Sequence, residues 1–305
     1  MWITLAFLSA ALLGFYDTFK KHSLRDNAVI PILFLNTLFC ALIFLPLIIG
    51  SSAGWIDPHS TWHVPVPDWH SHKYILLKSL IVLSSWVLGY YAMKQLPLTI
   101  VGPINATRPV MTLVGALLIF GEDLNAWQWA GVLLAIGAFW FMSRTGKKEG
   151  ITFSTNRWIY FLVGAAVLGA ASGLYDKYLM SPVETGGLGL NKMAVQGWYN
   201  VYQCLMMGTV LGVIWWPTRH SGTKFRWRHS ILFISIFLTA ADFVYFYALT
   251  DPNAMIAVVS MVRRGSVIVS FICGALFFKE RNLKSKAVDL LLVLAGLGCL
   301  WIGTH

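Results

Sequence analysis

The sequence predicts an all-α polytopic membrane protein of about ten transmembrane helices, arranged as two inverted five-helix repeats. Three observations carry this expectation. Of 305 residues, 57% are hydrophobic and only 12% charged, where an ordinary soluble domain has about 25% charged residues. So few charges cannot cover a soluble surface of this size, but in a bilayer lipid takes the place of water on the outer wall. The chain also divides into ten apolar runs near the roughly 20 residues a helix needs to cross the hydrocarbon core. Finally, the first five runs are echoed by the last five.

In order, the runs are 2–19, 28–50, 74–93, 98–120 and 126–143, then 158–179, 193–216, 229–249, 253–278 and 285–303. Most links are short turns such as Lys94–Pro97, Gly121–Asn125 and Asp251–Asn253. A basic linker, 145–157, separates a first repeat (1–144) from a second (158–305), and no link is long enough for a soluble domain. The apolar run from Met1 to Phe15 lacks a basic leading segment and a small-residue cleavage site, so it reads as a retained helix and no signal peptide is expected. Cys40, Cys204, Cys273 and Cys299 all lie inside apolar runs and read as buried small residues, not a disulfide framework.

The formal charge of +10 is scattered over many short loops and forms no stripe, so no nucleic-acid partner is expected. In a membrane protein such charges are orientation signals. With the N-terminus outside, sixteen loop Lys and Arg fall on the cytoplasmic face, and at most Lys73, Lys78, Lys177 and Lys192 on the other. The count predicts both termini outside, in a protein of the bacterial cytoplasmic (inner) membrane.

The internal echo includes polar residues. Gly14-Phe-Tyr16-Asp17 matches Gly173-Leu-Tyr175-Asp176, and Asn36 with Cys40 matches Asn200 with Cys204. Tyr90-Tyr91-Ala92 matches Phe246-Tyr247-Ala248, and Gly115-Ala-Leu with Gly121-Glu122 matches Gly274-Ala-Leu with Lys279-Glu280. Four ordered matches argue against chance similarity among apolar helices. An odd number of helices per repeat turns the second upside down, the plan that puts a transporter's substrate site near mid-membrane at the pseudo-two-fold.

The stretches Arg108-Pro109-Val110-Met111 with Gly121-Glu122, Trp129-Ala-Gly131 with Gly137, and Arg264-Gly265-Ser266-Val267 with Lys279-Glu280-Arg281 resemble the drug/metabolite transporter superfamily. The resemblance is to its EamA type with two tandem domains, and it covers essentially the whole chain. The second copy departs from it: Gly265-Ser266 stands near the expected Pro, and Asp289 where the first half has Gly131. The resemblance implies both termini in the cytoplasm, opposite to the charge count.

Ionisable residues within a span are costly and rare, which makes them functional candidates. Arg108, Arg263 and Arg264 each lie about ten residues into their spans. Neighbours on a helix differ by about 100°, so only one of Arg263 and Arg264 can face a central cavity. There it would meet Arg108 and bind a carboxylate or phosphate. The bland reading neutralises each Arg with Asp242 or Asp289.

Asp17 and Asp176 are further candidates for coupling or counter-charge, each set against a helix-end salt bridge; Asp242 is the better placed for coupling. Asn36, Asn105, Asn200 and Gln203, with Trp86, Tyr90, Tyr175, Tyr199, Tyr202 and Tyr247, could line an amide-and-aromatic cavity or simply join helices. Glu122 and Glu280 are expected to cap the helix that follows each. In the loop 51–73, His59 and His63 have a helical metal-ligand spacing, but Pro58, Pro65 and Pro67 oppose a helix there. A Trp-rich lid is the simpler reading; no metal and no cofactor are expected.

The leading functional expectation is a secondary transporter of a small polar, anionic metabolite, working by alternating access between the repeats. No Gly-x-x-x-x-Gly-Lys-Ser/Thr motif is present, so a coupling proton or a counter-substrate must supply the energy. An exporter of amino acids or organic cations, using the embedded acids, is the alternative. An intramembrane enzyme is disfavoured because all eight histidines are read in loops or at the terminus. A channel is disfavoured because the spans read as continuous. Expected partners are the substrate, the bilayer and a second copy in a homodimer.

Overall fold

A computed structural model describes residues 2–111, 114, 124–147, 150–180, 183–220, 222–249, 262–280 and 282–303. Among the described residues there is no strand, and ten helices of nine residues or more follow the apolar runs. The first five are α1 (Trp2–Leu24), α2 (Val29–Ser52), α3 (Trp69–Gln95), α4 (Leu98–Ala106) and α5 (Ala126–Lys147). The second five are α6 (Arg157–Met180), α7 (Lys192–Val210), α8 (Ser230–Leu249), α9 (Ser266–Phe277) and α10 (Leu283–Gly303). Among the described residues α2, α3, α5, α10 and the Arg157–Asp176 part of α6 are long and apolar enough to cross a membrane by length and composition.

Helix starts are set by side-chain caps where the chain leaves a loop. The Asp68 carboxylate accepts the Ser71 N–H at the head of α3, and hydrogen bonding by the Ser71 side chain first, then by its backbone, holds the carboxyl below its ordinary range. Asn191 Oδ1 accepts the Met193 and Ala194 N–H groups at the head of α7. Each satisfies donors that a first helical turn leaves open.

Two spans read as continuous from sequence are interrupted. α4 gives way at Thr107 to an i→i−3 turn, Thr107 N–H to Ile104 C=O at 3.2 Å, and resumes at 108–111. Pro109 explains this, having no N–H for the carbonyl four residues back. In the second half 262–264 are helical, Gly265 turns with its N–H on Val262 C=O at 2.9 Å, and α9 follows. Proline makes the break in one half and glycine in the other, and both breaks adjoin the span arginines.

Packing between the halves obeys an exchange. α1 lies on α8 and α3 on α6; α2 on α7, α4 on α9 and α5 on α10; α1 on α9 and α4 on α6; α2 on α8 and α3 on α7. Moving each helix five places along the chain maps this set of contacts onto itself. The α5–α10 seam is close because both sides are glycine: a Cβ at Gly131 would lie 2.9 Å from Gly296 O, and one at Gly296 3.2 Å from Gly131 O. The main core draws on both halves, with Tyr90, Ile100 and Ile104 beside Leu162, Ile234 and Val267.

Polar contacts identify two ends of the bundle. At the basic end, Asn27 exchanges hydrogen bonds with the Arg226 backbone at 2.7 and 2.8 Å. Arg228 there donates to His22 C=O at 2.6 Å. At the other end the loop 53–68 folds over the helices. Val64 is fully buried, within reach of Gly197 on α7, and Trp62 stacks on Phe243 of α8 with ring centroids 4.6 Å apart. Among the described residues no group of three or more His, Cys, Asp or Glu could hold a metal.

Candidate functional site

Asp17, Lys20, Arg108, Asp242, Arg263 and Arg264 gather around the two helix breaks. From α1, Asp17 accepts an ion pair from Lys20 at 2.8 Å, one helical turn on. Lys20 is nearly enclosed, with its ammonium 4.2 Å from the Tyr16 ring centroid and 5.3 Å from that of Tyr90 on α3. Ser270 of α9 reaches the other Asp17 oxygen at 3.5 Å. Cation–π faces and a carboxylate together make such a buried ammonium tolerable.

Arg108 stands just past the α4 break. Its Nη2 donates to Asn105 Oδ1 at 3.0 Å, and Asp17 and Tyr16 lie within electrostatic range. The guanidinium lies flat against Gly169 of α6, where a Cβ would sit 2.8 Å from Arg108 Cζ. Only glycine leaves that space, so a residue of the second half positions an arginine of the first.

The adjacent pair across the bundle divides its roles. Arg263 ion-pairs with Asp242 of α8, and its guanidinium lies over the Tyr245 ring at 4.4 Å. This is the neutralising arrangement that the sequence offered as the bland reading, and it draws Asp242 away from a free coupling role. Arg264 faces elsewhere. Among the described residues it makes no hydrogen bond or ion pair, and Arg108, Arg263, Tyr245 and Asp17 lie within electrostatic range of it. It is only partly buried. Around the breaks, then, Lys20, Arg108, Arg263 and Arg264 face Asp17 and Asp242, a cationic excess among the described residues.

The other candidates sit around this cluster or away from it. Asp176 pairs with Lys78 of α3, whose ammonium lies 5.1 Å from the Tyr199 ring centroid; Tyr199 is in turn within electrostatic range of Asp242 and Arg263. Asn36 Oδ1 accepts from Ser235 Oγ at 3.0 Å, and Asn200 Nδ2 donates to Gln196 C=O at 2.9 Å. Both act as links between or within helices. Gln203 is fully enclosed on α7, with neither amide atom hydrogen-bonded among the described residues. Trp86 packs against the main core.

Tyr175 is drawn off to a separate cluster of α3, α6 and α7, its hydroxyl on Tyr74 C=O at 3.4 Å. Asp289 is buried on α10. The Tyr247 side chain and Glu122 lie outside the described residues.

Three expectations are corrected. Glu280 caps a different helix from the one that follows it: its oxygens accept the Leu98 and Thr99 N–H groups at 2.6 and 3.0 Å, at the head of α4 in the other half. His22, His70 and His72 belong to helix end-turns, not to loops; His72 shares a 2.8 Å hydrogen bond with the Tyr202 hydroxyl. The interruptions of α4 and α9 also remove the continuity on which a channel was set aside. Reasoning from sequence missed Tyr16, Lys78, Tyr245, Gly169 and Ser270, whereas the Asp17–Lys20 pair is the helix-end salt bridge it had set beside a coupling role.

The sequence profile of the EamA-like transporter family matches residues 1–144 and 156–302. A curated protein of Sinorhizobium sp, described as "Uncharacterized transporter in cobO 3'region", is 27% identical over 140 residues, covering 45% of this chain and 93% of that protein.

Proposed function

The chain belongs to the EamA-like transporter family and is an integral membrane protein, and on that premise we propose that it is a secondary transporter of a small anionic metabolite. The supporting observation is the pairing pattern at the helix breaks. Asp17 and Asp242 are committed to Lys20 and Arg263, and Arg264 is left beside Arg108 with no ion pair among the described residues. A central charge in a span costs about 2.5–3.5 kcal/mol, so an arginine with no ion pair among the described residues suits a ligand that supplies the opposite charge. Arg108 and Arg264 come from opposite halves, so a carboxylate or phosphate held by both would link them.

Ten membrane-crossing helices in two inverted repeats accord with the exchange of helix contacts between halves. Substrate exchange would then follow from rocking one half against the other around the breaks, where interrupted helices in transporters bind their solutes. A coupling proton or a counter-substrate supplies the energy. The alternative cargo, amino acids or organic cations bound by the embedded acids, is opposed by the lysine and arginine partners those acids already hold. The charge count favours a cytoplasmic basic end with both termini outside; a terminal tag shielded from an impermeant reagent in intact cells would reverse that.

The test is a thermal-shift screen of purified protein against organic acids, phosphorylated sugars, amino acids and quaternary amines. A ligand stabilises by RT ln(1 + [L]/Kd), so millimolar ligand on a weak site still registers. Anions should raise the midpoint of wild type and fail to raise that of Arg264→Gln. Stabilisation by cations alone, or an anion response that survives in Arg264→Gln, would contradict the proposal.

A further inference from the structure

The turn between α3 and α4 is gripped from both sides at the basic end. Lys21 of α1 donates to the carbonyls of Met93 and Leu96 at 2.7 and 2.6 Å, placing a cation on the last carbonyls of α3. Glu280, just beyond α9, takes the Leu98 and Thr99 N–H groups and the Thr99 hydroxyl. Pro97, at the N-cap position of α4, makes no side-chain cap, so the acid of the other half supplies what that helix start lacks. Lys286 of α10 lies 3.8 Å from the same carboxylate.

Glu280 is held there by an unusual backbone. Lys279 and Asn282 have φ of +50° and +55°, the left-handed region that residues other than glycine seldom adopt. Below the grip α4 and α9 are in close contact: a Cβ at Gly102 would lie 2.8 Å from Val267 Cγ2, and one at Gly274 3.5 Å from Leu98 Cβ. One turn from Gly274 is Ser270, fully buried and reaching Asp17. The grip therefore closes the bundle directly over the charged cluster.

We propose that Glu280 and Lys21 form a latch on the α3–α4 turn, and that opening this end requires the Glu280 carboxylate to leave the head of α4. The inference rests on the alternating-access reading, but its readout needs no substrate, so a failed ligand screen and a failed latch are separable.

The test uses the full chain with its four native cysteines replaced by alanine. Ser270→Cys reports access to the cluster through its rate of labelling by a charged methanethiosulfonate. Leu98→Cys with Gly274→Cys reports closure, because a Cβ separation near 3.5 Å suits a disulfide. Glu280→Gln should speed Ser270→Cys labelling about tenfold, the scale of one weakened charge-assisted hydrogen bond, and slow the oxidative cross-link. Lys21→Met, which loosens the grip from the α3 side, should move both rates the same way and serves if Glu280→Gln does not purify as a folded protein. Labelling and cross-linking rates unchanged in the folded variants would overturn the latch.

Discussion

Asp17 and Asp176 occupy the same place in the two halves, each directly after a tyrosine, yet they find their cations in different ways. Asp17 takes Lys20 from its own helix at i+3, whereas Asp176 takes Lys78 from the other half, 98 residues away. The glycines three residues earlier differ just as sharply. A Cβ at Gly14 would fall 2.4 Å from Val269 Cβ on α9, while one at Gly173 meets nothing within 4 Å. The repeat thus preserves acids and backbone positions, and each half reaches its neighbours separately. One matched site is closed against α9, and the other is tied across the halves and less tightly packed.

The largest effect expected from breaking this comparison is at the cross-half pair. Asp176→Asn strands the buried Lys78 ammonium and should destabilise by about 2–3 kcal/mol, short of the about 3–5 of a fully buried pair because Asp176 keeps 30% side-chain exposure. Asp17→Asn should cost about half as much, since Lys20 retains the faces of two aromatic rings. Unfolding midpoints in detergent order the two, and a greater loss at Asp17 would reverse the assignment. The glycines sharpen the contrast. Gly14→Ala overpacks the α1–α9 contact and should cost about 1–3 kcal/mol. Gly173→Ala should be neutral or raise stability by up to about 1 kcal/mol through helix propensity; equal losses at both sites would show that the two contacts are alike.

Much of the architecture was legible because hydropathy alone marks a buried or lipid-facing helix. α2, α6, α8 and α10 begin and end within two residues of their apolar runs. The interruptions were not legible, although Pro109 and Gly265 were in plain view, because helices in membranes tolerate both residues without breaking. Arg108, Arg263 and Arg264 stood out as costly charges and Asp242 as an available partner, but which arginine it takes did not. Asp242 and Arg263 are 21 residues apart, and the Gly169 face of Arg108 comes from the other half. Glu280 was readable as a helix cap, and only the identity of the capped helix, 181 and 182 residues earlier in sequence, required the fold.

The central claim is that one arginine from each half serves a single anion site. Its most direct test is a double-mutant cycle on ligand-induced stabilisation, using an anion that raises the wild-type midpoint, across Arg108→Gln, Arg264→Gln and the double variant. A shared site predicts that each single variant loses most of the stabilisation and the double variant loses little more, a coupled response. Independent, additive losses, or full retention of the response in either single variant, would contradict it.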